Sequence, residues 1–97
     1  MSSLQTFAVL ITYVPNAVER RAPYREAHLA YARALREVGH LALGGAFADP
    51  VDGALLVYRA ESRAQVEAWL ADDPYMRAGL WPKVTIREWT VVIGKAG

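Results

Sequence analysis

The sequence predicts an α+β fold with the element order βαββαβ, and three features carry that prediction. Segments rich in β-prone apolar residues stand near both ends, at Gln5 to Tyr13 and at Lys83 to Ile93. Between them lie two segments with helical spacing and their own start and stop residues. Two short β-prone runs between the helices flank Asp49-Pro50-Val51-Asp52-Gly53, which is turn chemistry and makes them a hairpin.

The first strand, Gln5 to Tyr13, carries Phe7, Val9, Leu10 and Ile11, apolar on both parities of the pleat, so both faces expect cover. Val14-Pro15-Asn16 ends it, and Ala17 to Ala22 forms a lead-in with Glu19, Arg20 and Arg21. The strongest element follows, PYREAHLAYARALREVG from Pro23 to Gly39. Pro23 suits a first helical position and Gly39 a left-handed stop. Helical spacing sets Tyr24, Ala27, Tyr31, Ala34, Leu35 and Val38 on one face and Glu26, Arg33 and Glu37 opposite. His28 falls near the edge of the apolar stripe with Arg25 one turn before it, and Leu29 is an apolar residue on the charged side.

His40 to Phe47 makes the second strand, with Gly44-Gly45 near its end, and Ala54 to Arg59 makes the third. Ser62 is an N-cap with Gln65 three residues on, and a helix runs from Arg63 to about Asp72 with Val66, Trp69 and Leu70 packed. Pro74 disfavours helical geometry at Asp73 and ends it. Continued helical spacing turns Asp73 toward the Val66, Trp69 and Leu70 side and Asp72 away. Tyr75 to Gly79 is a further turn, Trp81-Pro82 a connector, and Lys83 to Ile93 the last strand, with Trp89 expected in the core.

Composition narrows the function classes. Ninety-seven residues, 54% hydrophobic and 22% charged, form one folded domain over 1–97. A net charge of +1, with 11 basic residues interleaved among 10 acidic ones, gives no field to gather nucleic acid. The absence of cysteine removes disulfides and thiolate chemistry, and two histidines cannot make a three-histidine metal site. Neither a metal nor another cofactor is expected. Apolar runs are far too short to span a bilayer, and Met1-Ser2-Ser3 does not begin a secretory signal, so the expected location is cytoplasmic.

The order βαββαβ is the ferredoxin-like motif: a four-stranded antiparallel sheet in the order 4-1-3-2 with both helices on one face. Right-handed crossovers then make the helices antiparallel. The start of the first helix meets the end of the second. Tyr13, Arg21, Arg25, His28, the Gly45 to Gly53 hairpin, Asp73 and Trp81 therefore gather at one end of the sheet, with Tyr75 beside them. The other sheet face stays bare unless a second chain covers it, so a homodimer or higher homo-oligomer is expected.

Two segments, RAPYREAHLAYARAL from Arg21 to Leu35 and DPYMRAG from Asp73 to Gly79, resemble the YciI-like (YCII-related domain) family, and the resemblance extends over nearly the whole chain. It implies a ferredoxin-like subunit that pairs as a dimeric α/β barrel, similar to muconolactone isomerases, with an active site of one histidine and one aspartate. Matched by motif, these are His28 and Asp73. Few members have an assigned reaction; one is a dehydrochlorinase of a chlorinated aromatic. This chain departs from the pattern in having Tyr13 where members often carry an acid, and Gly45-Ala46 where they often carry Gly-Pro. Tyr13 offers a phenol donor in place of a carboxylate acceptor.

Each candidate also has a plainer role: His28 as a core ring bonded to a backbone carbonyl, Asp73 as a turn residue, and Arg21 and Arg25 as solvated helix charges. The functional expectation is a small cofactor-independent enzyme, an isomerase or lyase. In it a His28–Asp73 pair does acid/base work on a small aromatic, lactone or carbonyl compound. Arg21, Arg25, Tyr13, Gly45, Tyr75 and Trp81 would hold that compound. The alternative is a non-catalytic dimeric module that binds a small molecule or a partner.

Overall fold

A computed structural model describes residues 4–95. Its elements are β1 (Gln5–Thr12), α1 (Ala17–Arg21), a 3-10 turn (Ala22–Tyr24), α2 (Arg25–Glu37), β2 (Leu41–Ala46), β3 (Gly53–Ala60), α3 (Arg63–Ala71), α4 (Pro74–Arg77) and β4 (Lys83–Glu88). All strand pairs are antiparallel and the sheet order is β2-β3-β1-β4, the predicted order read from the other edge. One sheet face, with Phe7, Val9 and Ile11 of β1 and Leu56 and Tyr58 of β3, packs on Leu35 of α2 and on Val66 and Leu70 of α3. Both long helices therefore cover the same face, and the expected α+β fold holds.

Local chemistry places the ends. Gly39 adopts φ 82°, and the Gly39 and His40 amides donate to Arg36 O and Leu35 O, the paired bonds that close a helix through a left-handed residue. Ser62 Oγ accepts from the Gln65 amide at 3.3 Å, while Gln65 Oε1 accepts from the Glu61 amide at 2.8 Å. In β2 the register shifts between Leu41 and Leu43, as a bulge does, and Arg36 Nη1 donates to Ala42 O at 2.7 Å. That bond ties the end of α2 to the edge strand.

Four expectations need correction. The main helix does not begin at Pro23: without an amide hydrogen, Pro23 sits in the 3-10 turn that joins α1 to α2. The packed face of α2 is turned toward His28, Tyr31, Ala32 and Leu35, leaving Tyr24, Ala27, Ala34 and Val38 exposed. Ala27 and Ala34 lose little by exposure, and Tyr24 and Val38 lie at the flanks of the helix, whereas His28 has a buried partner. The last strand stops at Glu88 rather than Ile93. Its partner β1 begins at Gln5, and after the Trp89 amide donates to Thr6 O no neighbouring strand is found among the described residues. Finally, Trp89 is not core: it is 46% exposed on the open sheet face beside Ala8, Leu10 and Leu55.

Candidate active site

The site grows from the meeting of two antiparallel helices. α3 ends at Ala71, Pro74 holds Asp73 extended at φ −66° and ψ 132°, and Asp73 becomes the N-cap of α4. Its Oδ1 accepts the Tyr75 amide at 2.9 Å, so local turn chemistry fixes where the carboxylate points. It points at the inner edge of α2. His28 Nδ1 lies 2.8 Å from Asp73 Oδ1 and 3.1 Å from Oδ2.

That contact defines the imidazole. A carboxylate can only accept, so Nδ1 is the donor, and in the neutral ring Nε2 carries the lone pair. Nε2 bonds no group among the described residues and is not sealed from solvent, while the His28 side chain keeps 13% of its surface exposed. Asp73 is 2% exposed, the one charged residue in the core among the described residues. The His28 ring also stacks on Tyr75, with centroids 3.9 Å apart and planes 8° from parallel, and meets Trp81 edge-on at 5.9 Å. One carboxylate and two aromatic rings hold it in a single orientation.

His28 opens into a cavity of about 270 Å³. Arg21, Arg25, Tyr13, Gly45, Tyr75 and Trp81 all reach its wall, so seven of the expected site residues, counting His28, share one space. Asp73 does not line it; it stands behind His28. Arg21 Nη1 donates to Tyr13 Oη at 3.4 Å and its guanidinium lies 5.7 Å from the centre of the Tyr13 ring. Burial raises the Tyr75 phenol above the ordinary tyrosine range. The Arg25 guanidinium is the main opposing influence, although none of its nitrogens reaches hydrogen-bond geometry on the sealed Tyr75 Oη.

Sequence reasoning missed the apolar half of the wall, formed by Leu29, Ala32, Leu41, Gly44, Ala46, Ala54 and Leu56. One signal was available for Leu29, the apolar residue on the charged side of its helix. Gly44 has a second cause: a Cβ there would lie 2.6 Å from Leu56 Cδ2, so the missing side chain is what lets Leu56 occupy its place.

The wall has a consistent chemical character. It carries two guanidiniums, a phenol and one bare imidazole nitrogen over an apolar floor, and no carboxylate is among its lining residues. The chemistry of such a lining is complementary to a small, partly apolar anion or a molecule that develops negative charge.

Comparisons with known proteins agree with this architecture. A family model described as the YCII-related domain matches residues 6–90. Protein YciI of Escherichia coli is 30% identical over 81 residues, covering 74% of this chain and 83% of the relative. A protein of Haemophilus influenzae described as uncharacterized is 27% identical over 90 residues, covering 84% and 92%. Among solved structures, 5-chloro-2-hydroxyhydroquinone dehydrochlorinase (TftG) from Burkholderia phenoliruptrix, in complex with 2,5-dihydroxybenzoquinone, superposes with a TM-score of 0.77. It is 25% identical and covers 88% of this chain and 93% of its own.

Proposed function

This chain belongs to the YCII-related domain family, and from that premise we propose that it is a small enzyme, working without a cofactor, in which His28 moves a proton on a hydroxylated ring or related carbonyl compound. The observation that carries the reading is the asymmetry of His28, with one nitrogen held by a buried carboxylate and the other bare in a cavity with two arginines. The ligand class takes support from the solved neighbour, a dehydrochlorinase in complex with 2,5-dihydroxybenzoquinone.

The chemistry follows from the geometry. Arg21 and Arg25 take an acidic oxygen of the ligand and bring an O–H, or a C–H beside a carbonyl, to Nε2. Nε2 accepts the proton, the released electron pair moves onto the carbonyl oxygen, and the arginines stabilise the resulting enolate or phenolate. Asp73 stabilises the imidazolium formed at that moment, and the Tyr75 face supports the same cation. Return of the proton to a different carbon completes an isomerisation. Departure of an anion such as chloride, with the electron pair re-forming the carbonyl, completes an elimination. The enzyme works as a homodimer, two copies covering the open sheet face around Leu10 and Trp89.

The test uses 2,5-dihydroxybenzoquinone as ligand, calorimetry for binding, and NMR in deuterated water for exchange of its ring hydrogens. The control is His28→Asn, because asparagine can keep an N–H toward Asp73 while removing Nε2. Wild type should bind the ring and accelerate exchange by about 100-fold or more over the variant. Equal exchange by both proteins sinks His28 as the base, and binding without any exchange leaves a binding module.

A further inference from the structure

A second space lies against the wall of the His28 cavity. Leu29, Ala32, Leu41 and Gly44 also line a trough of about 400 Å³ between α2 and β2, so the two spaces adjoin. Its walls are mainly apolar, with Ala42 and Leu43 added from β2. The Arg36–Ala42 bond joins the two elements across it. Arg33 lines the trough as well, is exposed, and has no carboxylate partner among the described residues.

Arg25, Leu29 and Arg33 follow one another four residues apart and so form one stripe along α2. The helical rise places Arg33 about 12 Å beyond Arg25. Leu29, with no evident place on a charged helix face, lies between the two cations and touches both spaces.

We infer that the ligand of this site is longer than one ring: an apolar chain leaves the ring, passes Leu29 along the trough, and ends in a carboxylate on Arg33. The inference rests on reading the His28 cavity as the ring's place. Apolar walls favour burying methylenes rather than a hydrated chain. Glu26 and Glu37 share the helix face of Arg33, but neither is within ion-pair distance, so the Arg33 guanidinium is left to receive a ligand carboxylate through two parallel hydrogen bonds. The two ends of the site thus carry cations at a fixed separation, with an apolar path between them.

The experiment compares 2,5-dihydroxybenzoquinone with derivatives carrying ω-carboxyalkyl chains of increasing length, and with their methyl esters, by calorimetric titration. Wild type and Arg33→Gln are both used; Arg33 is exposed, so the variant keeps the fold. Affinity should rise roughly threefold for each methylene the trough buries, and Arg33→Gln should weaken the long acid roughly fivefold. The esters and the unextended ring should bind both proteins alike. If the ring binds but chain length changes nothing, as when a second copy fills the trough, the inference falls alone. If Arg33→Gln weakens ring and extended acid equally, it also falls. Should the unextended ring itself fail to bind, the reading of the cavity falls with it.

Discussion

Replacing Asp73 by Asn changes one atom and one charge behind the imidazole, and its effect can be worked out from three distances. Asp73 Oδ1 takes the Tyr75 amide at 2.9 Å and His28 Nδ1 at 2.8 Å, and Oδ2 stands 3.1 Å from Nδ1. Asparagine keeps its oxygen on the Tyr75 amide, because that bond caps α4. Its NH2 then occupies the Oδ2 position and faces Nδ1. That NH2, 3.1 Å from Nδ1, opposes an N–H there while the oxygen at 2.8 Å still accepts one, so the amide no longer imposes one tautomer as the carboxylate does and shifts the ring toward the form protonated at Nε2 and accepting at Nδ1. In that form Nε2 lacks the lone pair that the cavity needs. The exchange rate on 2,5-dihydroxybenzoquinone should fall by about 100-fold or more, the worth of a positioned general base. Stability should fall by only about 1 kcal/mol, the difference between a charge-assisted and a neutral hydrogen bond. Long-range nitrogen–proton NMR spectra report which ring nitrogen is protonated, and denaturation in urea reports the stability. A variant with an unchanged tautomer and an exchange rate within about twofold of wild type would refute the reasoning.

Further outcomes are expected elsewhere in the molecule. Leu10→Asp places a charge in the open sheet face, where Leu10 is 44% exposed, and should convert a dimer to a folded monomer in sedimentation; a wild type already monomeric at micromolar concentration would remove the pairing. Gly44→Ala forces Leu56 aside, because the new Cβ lies 2.6 Å from Leu56 Cδ2, and should cost about 1 kcal/mol while weakening ring binding in the same titration. Tyr58→Phe addresses alkaline pH. Burial first, and the Asp73 charge second, raise the Tyr58 phenol in the folded protein, so the folded state keeps a proton that the unfolded chain releases near pH ~10. Stability from this group is complete below pH ~10 and falls above it by up to about 1.4 kcal/mol per pH unit. The variant should show a shallower fall between pH 9 and 11, with Tyr31 and Tyr75, also raised by burial, supplying what remains. An unchanged slope would assign the alkaline loss to other groups.

The element order and the sheet order were legible because each rests on local chemistry: β-prone runs, an Asp-Pro-Val-Asp-Gly turn, a serine cap and a left-handed glycine. The end of β4 was not legible, because Trp89, Val91 and Ile93 look like strand and only the extent of the partner strand among the described residues decides otherwise. Trp89 failed for a related reason. Apolar character marks a residue as wanting cover, and on that face no element among the described residues supplies it. The tilt of the α2 stripe also escaped periodicity, since alanine contributes so little burial that a helix can turn past Ala27 and Ala34 toward a polar anchor.

Asp73 shows why the site was only half readable. As a sequence it offered two rival roles, turn residue or partner of His28, and the structure shows that the first produces the second. The extended backbone before Pro74 and the bond to the Tyr75 amide spend one direction of the carboxylate on the turn and aim the rest at α2. His28 divides in the same way, packed on Tyr75 and bonded at Nδ1 as a core residue would be, yet open at Nε2. Polar residues announce themselves in a sequence, so this half could be found. The cavity is made by small residues facing one another across α2, β2 and β3, such as Ala32, Gly44 and Ala54, and no single segment records a void that several elements leave between them. Side chains that meet can be inferred from spacing and topology; side chains that fail to meet become visible only when the packing is complete.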